Sequence, residues 1–390
     1  MGQRFDPHGF GHRGGILLAL WWAVNATACG GYAPPSKLSP DAQETRWPVA
    51  LGTPQHDPSA AETLGTDPRL RWRAHAGRAV RGCPAVGETV LAVGTVDRQL
   101  VLLYRPTGQV LWRAGLKGTV RGGPLLARDR VYVATEASPE SRIYAVRMKD
   151  GSVVWSIPTG SVAAPLALDG DTLYAATEGG LVLRLATRDG AATWHRKLPG
   201  AVRAAPVPTP EGIALVTTAD TLFLLDRRTG EILRRMKTPG AVLATPALSP
   251  HADRLYIGTT DGHFFAAALP ALTVLWDLDA TDGVYGSPAV ARDTVYALAK
   301  NGRLWIVPDA DTTGRGARSQ AIDVVSITGP NPLAAGVLIG GIGGEVMLVD
   351  PATGAVRWRV QADGPIEQPP LILDGELVVV GGRGDIYLYR

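Results

Sequence analysis

Three arginines stand at related positions in the first part of the chain. Arg81, Arg121 and Arg203 each lie three residues before a proline, and Arg78 and Lys117 fall in the same short segments. Guanidinium groups that converge on one place bind anions through charge-assisted, often bidentate hydrogen bonds. The spacing therefore predicts a basic cluster that binds an anionic ligand or an acidic partner surface. The alternative interpretation is a set of solvated or salt-bridged loop arginines.

Two other segments resemble ligand-binding loops. Gly340–Gly344 is rich in glycine, but a β-type run follows it where a phosphate-binding loop needs a helix, so we predict a hairpin turn. Asp277–Gly283 approximates a calcium loop, yet its third carboxylate is displaced and no glutamate closes the pattern. We interpret that segment, and the weaker Asp309–Asp311, as solvated loops.

The remaining reactive residues form no recognisable set. The seven histidines are scattered without metal-ligand spacing, and no Gly-x-Ser-x-Gly elbow occurs. We therefore expect no catalytic residue, no metal and no cofactor. A net charge of +3 without an aromatic-interleaved basic stripe gives no case for nucleic acid. Of the two cysteines, Cys83 is expected to be a small buried residue and not a nucleophile.

A Gly-x-x-x-Trp step recurs along the chain with a period near 41 residues. Trp72 lies forty residues before Trp112 and belongs to the same series. Gly230 leads to Arg234 instead of a tryptophan, and Trp276 has a leucine in the glycine position. A period of this length indicates one supersecondary unit that is repeated. The complete copies are Gly108–Trp112, Gly151–Trp155, Gly190–Trp194 and Gly354–Trp358.

A proline opens each unit. The spacing between successive prolines stays between 38 and 44 residues, which predicts eight units. Two periods separate Trp276 from Trp358, so one unit between them has no tryptophan. The prolines are Pro84, Pro124, Pro165, Pro206, Pro246 and Pro288, followed by Pro332 and Pro370 on the best alignment.

One unit contains four short strands. Between Val162 and Trp194, apolar and β-branched runs alternate with Gly/Asp turns. Four strands in about 40 residues predict the blade of a β-propeller. We therefore expect an all-β, eight-bladed propeller of four-stranded antiparallel blades, with each tryptophan packed between neighbouring blades.

The two ends of the repeat region complement each other. Gly384–Arg390 is a third strand without a fourth, and Leu70–Arg73 is a fourth strand without the first three. Their pairing would complete the eighth blade and remove two open sheet edges. We predict that the N-terminal and C-terminal strands close the ring.

The N-terminal segment has the pattern of a targeting signal. Ile16–Val24 is an apolar run too short to span a bilayer, and three small residues and then Cys29 follow it. Residues 1–28 resemble a lipoprotein signal peptide, in which Cys29 would be lipidated; an ordinary signal peptide is the alternative. Residues 29–66 are expected to be a flexible proline-rich tether with a reach of roughly 30 Å. Residues 67–390 would then form the propeller.

The repeat resembles a known family. Asp350–Trp358 and Arg105–Trp112 are similar to the PQQ-like propeller repeat. The chain length, the lipoprotein-type signal that ends at Cys29 and the number of blades resemble the BamB branch of that family, which consists of outer-membrane assembly factors. The resemblance implies a non-enzymatic, monomeric scaffold that faces the periplasm from the outer membrane and binds an outer-membrane assembly protein or another envelope protein. Without acylation the protein would be soluble in the periplasm or secreted.

Two alternatives stay open beside that scaffold. One is a periplasmic propeller that binds an anionic small molecule at the channel mouth. The other is a degenerate PQQ-dependent dehydrogenase, although the chain lacks the adjacent cysteines of the quinoprotein branch. The chain also departs from the BamB branch at its partner loops: Gly283–Pro288 replaces an acidic Asp-x-Asp loop, and in Ala201–Pro206 only Arg203 loosely matches a Leu-x-Leu-Arg loop.

Overall fold

A computed structural model describes residues 53, 56, 64–65 and 67–390. The predicted signal peptide, Cys29 and most of the predicted tether lie outside these residues. Within the described part of the chain, no helix is long and apolar enough to cross a membrane. Among the described residues of the predicted tether, His56 is buried, and its Nδ1 lies 2.9 Å from the carbonyl oxygen of Pro288.

The described chain is built from β-strands joined by short turns. The first sixteen strands are β1 Leu70–His75, β2 Ala85–Val86, β3 Val90–Gly94, β4 Gln99–Tyr104, β5 Gln109–Gly115, β6 Leu125–Ala127, β7 Arg130–Ala134, β8 Ser141–Arg147, β9 Val153–Thr159, β10 Ala167–Asp169, β11 Thr172–Ala176, β12 Leu181–Ala186, β13 Ala192–Lys197, β14 Val207–Thr209, β15 Gly212–Thr217 and β16 Thr221–Leu225. The following strands are β17 Ile232–Lys237, β18 Ala247–Leu248, β19 Arg254–Gly258, β20 His263–Ala268, β21 Thr273–Asp279, β22 Ala289–Ala291, β23 Thr294–Leu298, β24 Arg303–Pro308, β25 Arg318–Ala321, β26 Asn331–Leu333, β27 Gly336–Gly340, β28 Glu345–Val349, β29 Val356–Gln361, β30 Leu371–Leu373, β31 Glu376–Val380 and β32 Asp385–Tyr389.

The strands form eight four-stranded antiparallel sheets, which confirms the predicted eight-bladed propeller. Strands β2 to β29 supply blades 1 to 7, each as four consecutive strands. Blade 8 has the order β1-β32-β31-β30, and its outer strand pairs Trp72 with Leu388 and His75 with Asp385. The predicted closure by the N- and C-terminal strands is therefore confirmed.

The apolar core lies between blades and not at one centre. Second and third strands such as β3 and β28 are almost wholly buried, because both of their faces pack against neighbouring blades. Leu102 of blade 1, Val133 of blade 2 and Leu388 of blade 8 belong to one continuous apolar cluster. Each blade therefore buries apolar side chains against its neighbours.

The repeated tryptophan packs across the seam to the next blade, as predicted. Trp72 of blade 8 donates its indole N–H to the carbonyl oxygen of Arg105 in blade 1, at 2.9 Å. Its ring packs on Gly108, which has a φ of +72° and where a Cβ would lie 2.5 Å from Trp72 Cε3. Glycine is required at position 108 for two reasons: the turn needs a residue with positive φ, and the indole ring of Trp72 leaves no space for a Cβ.

Two seams lack the tryptophan, and at a third, between blades 7 and 8, the buried indole N–H of Trp358 has no hydrogen-bond partner among the described residues. Between blades 4 and 5 the tryptophan is replaced by Arg234 and the glycine by Leu272, and Leu272 is buried in the apolar cluster that joins the two blades. Between blades 6 and 7 the side chain of Gln320 contacts Gly354. The blade without a tryptophan, blade 6, nevertheless keeps four strands, the last being the short β25.

Strand pairing corrects the alignment of the proline in blade 7. In blade 6 the first paired residue, Ala289, follows Pro288. In blade 7 the first paired residue is Asn331, so the equivalent proline is Pro330, and the prediction of Pro332 was wrong. Pro332 lies inside β26, where a first strand tolerates it because one edge of that strand pairs with no other strand of its blade.

Blade 3 shows a smaller shift of the same kind. There Ala167 is the first paired residue, so Leu166 holds the position that proline holds elsewhere and Pro165 lies one residue earlier. Counting by pairing instead of by proline makes the repeat more regular. It also defines which loop residues are equivalent around the ring.

Candidate partner-binding rim

One backbone hydrogen bond recurs at the same rim in all eight blades. The turn between the second and third strands donates an N–H to the loop that enters the first strand, as in Glu136 N to Thr119 O at 2.8 Å. The corresponding bonds of blades 6 and 7 run from Lys300 to Gly283 and from Ile342 to Val325. These bonds hold the two surface segments of each blade together, so the rim has a defined shape.

In each loop that enters a first strand, the residue directly after the carbonyl that accepts this hydrogen bond is buried. In seven blades it is aliphatic, and its neighbours explain why: Val120 packs against Gly94, and Val284 packs against Gly258. This buried anchor leaves the next residue to face outward. The anchors are Val80, Val120, Val162, Val202, Val242, Val284, Ser326 and Ile366.

The eight residues that directly follow these anchors, one from each blade, form what we call the mouth ring. A cavity of about 190 Å³ is lined by loop residues from seven different blades, which places it on the axis of the propeller. Arg203, Tyr285 and Glu367 lie in this lining. The mouth ring consists of Arg81, Arg121, Ala163, Arg203, Leu243, Tyr285, Ile327 and Glu367.

The three predicted arginines therefore occupy equivalent positions on one rim, but each is paired with a carboxylate. Arg121 Nε lies 2.5 Å from Glu136, within blade 2. Arg203 Nε lies 3.3 Å from Glu178 of the preceding blade. Arg81 forms an ion pair with Glu367 of blade 8, which is itself a member of the mouth ring.

The other half of the mouth ring is apolar. Leu243, Tyr285 and Ile327 occupy three consecutive blades, and Tyr285 remains 37% exposed. Val325 and Ile342 of blade 7 extend this sector, and each is 44% exposed. Exposed apolar side chains that are contiguous and bordered by polar residues are typical of protein interaction sites.

A cation borders the apolar sector. The ammonium group of Lys300 lies 6.0 Å from the centre of the Tyr285 ring, at the outer limit of a cation–π contact. Leu243 and Tyr285 each lie three residues before a proline, as the three arginines do, but sequence inspection proposed only the arginines as binding residues. Ile327 was missed because Pro332 was taken as the proline of blade 7. The glutamates at the second-to-third turns were missed because they stand in other loops than the arginines they pair with.

Cys83 lies at the same mouth, beside the seam between blades 1 and 8. Its thiol is 2.9 Å from Oε1 of Gln368, and burial raises the pKa of the Cys83 thiol to about 12. A thiol with a raised pKa stays protonated at neutral pH and is a poor nucleophile. The side chain is half-buried in the lining of the cavity, so the expectation of a fully buried cysteine was wrong.

The acidic segments have structural partners. Asp277 accepts from His263 Nδ1 at 3.0 Å, and Asp279 accepts the backbone N–H of Thr281 at 2.8 Å. Among the described residues, no group of three or more His, Cys, Asp or Glu side chains is arranged to hold a metal ion. The carboxylates of this segment therefore orient their own strand end and turn.

The interpretation of Asp309 as a solvated loop residue was wrong. Asp309 is buried and accepts the hydroxyl of Tyr256 at 2.6 Å across the seam between blades 5 and 6. The Asp309 carbonyl oxygen also accepts Arg254 Nη1 at 2.7 Å. Asp311, two residues later, caps its own loop by accepting the N–H groups of Thr313 and Gly314.

Comparison with known proteins agrees with this architecture. The family described as outer membrane protein assembly factor BamB matches residues 62–161, 139–335 and 323–389, which together cover most of the chain. The chain belongs to this family. It is 24% identical over 267 residues to the BamB protein of Shewanella oneidensis, an alignment that covers 62% of this chain and 64%, just under two thirds, of that protein.

Two solved structures share the fold of this chain. BamB from Moraxella catarrhalis has a TM-score of 0.69 and 14% identity, and the match covers 83% of this chain and all of that one. Quinohemoprotein alcohol dehydrogenase from Comamonas testosteroni has a TM-score of 0.71 and 13% identity over 90% of this chain and 81% of that one. At these identities the two likenesses establish the fold alone.

Proposed function

We propose that the protein is a non-enzymatic scaffold of the BamB type, which supports assembly of outer-membrane β-barrel proteins by binding an envelope protein at the mouth ring. The observation that carries the proposal is the division of this ring into a charged half and an apolar half. Membership of the BamB family supports the same role. The protein would act from the periplasmic side of the outer membrane, attached through a lipid on Cys29.

The two halves offer different parts of a protein–protein contact. The apolar sector around Tyr285 can exclude water from the centre of an interface, where aromatic side chains often contribute most of the binding energy. The ion-paired arginines at the other half can exchange their carboxylate partners for those of another protein. Rim charges of this kind set partner choice and association rate more than affinity.

The pairing also favours a protein partner over a small anion. Glu136, Glu178 and Glu367 each stand beside one of the three arginines, so the positive charge at the mouth is largely compensated. A small anion would have to displace these carboxylates or lie close to them, and like-charge proximity is unfavourable. A large interface can offset that cost through its apolar part.

Affinity pull-down from detergent-solubilised outer membrane tests the proposal. The wild-type chain should recover a β-barrel assembly protein, and Tyr285→Ala should reduce recovery about tenfold or more, because a central aromatic anchor is typically worth at least 2 kcal/mol. Arg203→Glu should reduce recovery less, through slower association. A bait that is folded and recovers no barrel-assembly protein would contradict the scaffold role.

Two control variants separate local damage from loss of binding. Arg128→Glu changes an exposed arginine in the β6–β7 turn, at the opposite rim, and should leave recovery unchanged. The double variant Arg203→Glu with Glu178→Arg keeps the ion pair in reversed order. The reversed pair should restore any stability of the fold that is lost in Arg203→Glu alone. If the partner recognises the charge arrangement, the reversed pair should not restore recovery of the barrel-assembly protein.

A further inference from the structure

The outer strand of blade 4 differs from the other outer strands in exposure and charge. Five of the six residues of β17 are exposed, and Met236 alone is half-buried. The strand contains Arg234, Arg235 and Lys237 and no acidic residue. Its neighbour β13 on blade 3 ends in His195, a half-buried arginine and a lysine, so the basic surface continues across the seam.

The lost tryptophan explains the exposure. Where the tryptophan is present its indole reaches the next blade, but at this seam Leu272 of blade 5 is buried in the apolar cluster that joins the two blades. Arg234 consequently remains at the surface, where it donates Nη1 to the carbonyl oxygen of Leu233 at 2.8 Å. Ile232 is 43% exposed and Leu233 is 38% exposed, so the strand presents two apolar side chains beside its cations.

These cations are not compensated within the described part of the chain. The ion pairs of blades 3 to 5 involve other arginines, among them Arg203, Arg227 and Arg254. Lys237 donates to the carbonyl oxygen of Ala219 at 3.0 Å, a contact that leaves its charge in place. The nearest acidic residues along the chain, Asp226 and Glu231, precede the strand.

The outer strands of blades 7 and 8 carry arginines whose charge is compensated by ion pairs. Outer strands β29 and β1 on blades 7 and 8 also carry arginines. There Arg357 is paired with Asp350 at 2.8 Å, and Arg73 is paired with Asp363 at 2.8 Å and Asp385 at 3.1 Å. Arginine content alone therefore does not distinguish β17; the absence of ion pairs to its cations among the described residues does.

We propose that β17 and the end of β13 form a docking surface for a bilayer that carries anionic headgroups. Clustered cations are attracted to such a surface, and neighbouring aliphatic side chains can enter its interfacial layer. Strand β17 is complementary to such a bilayer in two ways: its cations match the anionic headgroups, and the adjacent side chains of Ile232 and Leu233 match the apolar part of the interface. Docking here would place the circumference of blades 3 and 4 against the membrane and leave the mouth ring accessible from the side.

The test uses the full chain on vesicles, with backbone amide exchange of Ile232–Lys237 as the readout. Exchange of these amides should slow at least fivefold on phosphatidylcholine vesicles that contain phosphatidylglycerol, compared with phosphatidylcholine alone. A lipid anchor, if present, acts equally on both vesicles and cancels in the comparison. High salt should remove the slowing, because the attraction is between solvent-exposed charges.

Matched double variants decide whether β17 is responsible. Arg234→Gln with Arg235→Gln should abolish the slowing, while Arg357→Gln with Arg359→Gln on β29 should retain it. Equal exchange on the two vesicle types, slowing on neutral vesicles as well, or equal loss in both double variants would each overturn the proposal. None of these outcomes bears on recovery of a barrel-assembly protein, so the scaffold role is tested separately.

Discussion

A tryptophan at the end of an outer strand stabilises the propeller through contacts with the next blade. Trp112 donates its indole N–H to the carbonyl oxygen of Met148 at 2.7 Å, and its ring packs on Gly151. A truncated side chain would lose both the hydrogen bond and the packing. At the equivalent register of blade 4, Arg234 is exposed and has no such role.

We therefore expect Trp112→Ala to lower the free energy of unfolding by about 3 kcal/mol. Arg234→Ala at the same register should change it by less than about 0.5 kcal/mol. Urea unfolding followed by circular dichroism measures both. Equal effects of the two substitutions would show that the seam contact does not stabilise the ring.

A second residue whose environment decides its chemistry is His56. Burial lowers the pKa of His56 from 6.5 to about 4, although its hydrogen bond to the Pro288 carbonyl acts in the opposite direction. A folded-state pKa below the unfolded value favours folding above the unfolded pKa. That contribution is lost as the pH falls from 6.5 through about 4.

Comparison of wild type with His56→Gln isolates this effect. The stability advantage of the wild type should be present at neutral pH and disappear near pH 4, while the other titrating groups contribute equally to both chains. Denaturation at several pH values measures the difference. A constant difference across this range, or an imidazole that titrates near 6.5 by NMR, would contradict the burial of His56.

Among the elements, β1 has a role that its position in the chain does not reveal. It is the outer strand of blade 8, and it pairs with β32 from Trp72 to His75 while Trp72 packs on blade 1. Its loss would expose the edge of β32 and remove one seam contact. An open ring also loses the entropic benefit of closing a long loop, which grows slowly with loop length.

Truncation before and after this strand should therefore give different results. A chain of residues 67–390, which keeps β1 but lacks His56, is expected to fold, and a chain of residues 76–390 should unfold at a clearly lower urea concentration than that chain. The slope of the transition should stay similar if both chains fold to the same compact state. Equal midpoints would show that closure by β1 contributes little.

At the scale of the whole molecule, the distribution of charge around the mouth separates the proposed scaffold from an anion-binding propeller. Each arginine of the ring stands beside a glutamate, so the ring presents ion pairs and not free cations. A ligand that binds only the folded state raises the melting temperature in proportion to the logarithm of its concentration. The size of that shift therefore reports directly on anion binding.

We expect phosphate or sulfate at about 10 mM to shift the melting temperature by less than about 1 °C relative to chloride at equal ionic strength. A larger shift that disappears in the triple variant Arg81→Ala, Arg121→Ala, Arg203→Ala would support the anion-binding alternative. Differential scanning fluorimetry is sufficient for the comparison. The matched salt is needed because exposed ion pairs are themselves sensitive to ionic strength.

The sequence alone determined the blade number, the closing strand and the seam contacts of the tryptophans. These follow from a repeat whose period, turns and alternation are local, and Trp72 could be recognised as the closing piece because it keeps the same phase. The exchange of Trp for Arg234 and of Gly for Leu272 was also visible. The consequence of this exchange, an exposed Arg234 on β17, was not visible, since it depends on which side chains pack between blades 4 and 5.

Only the tertiary structure decided which residues meet at the rim. Glu367 reaches Arg81 from the far end of the chain, and Glu178 reaches Arg203 from the preceding blade. Such contacts depend on how neighbouring blades are staggered, which is set by packing of the buried loop anchors and by strand pairing. A periodic sequence specifies equivalent positions, but it does not specify whether the partner of a side chain at such a position lies in the same blade, as Glu136 does for Arg121, or in another blade, as Glu178 does for Arg203.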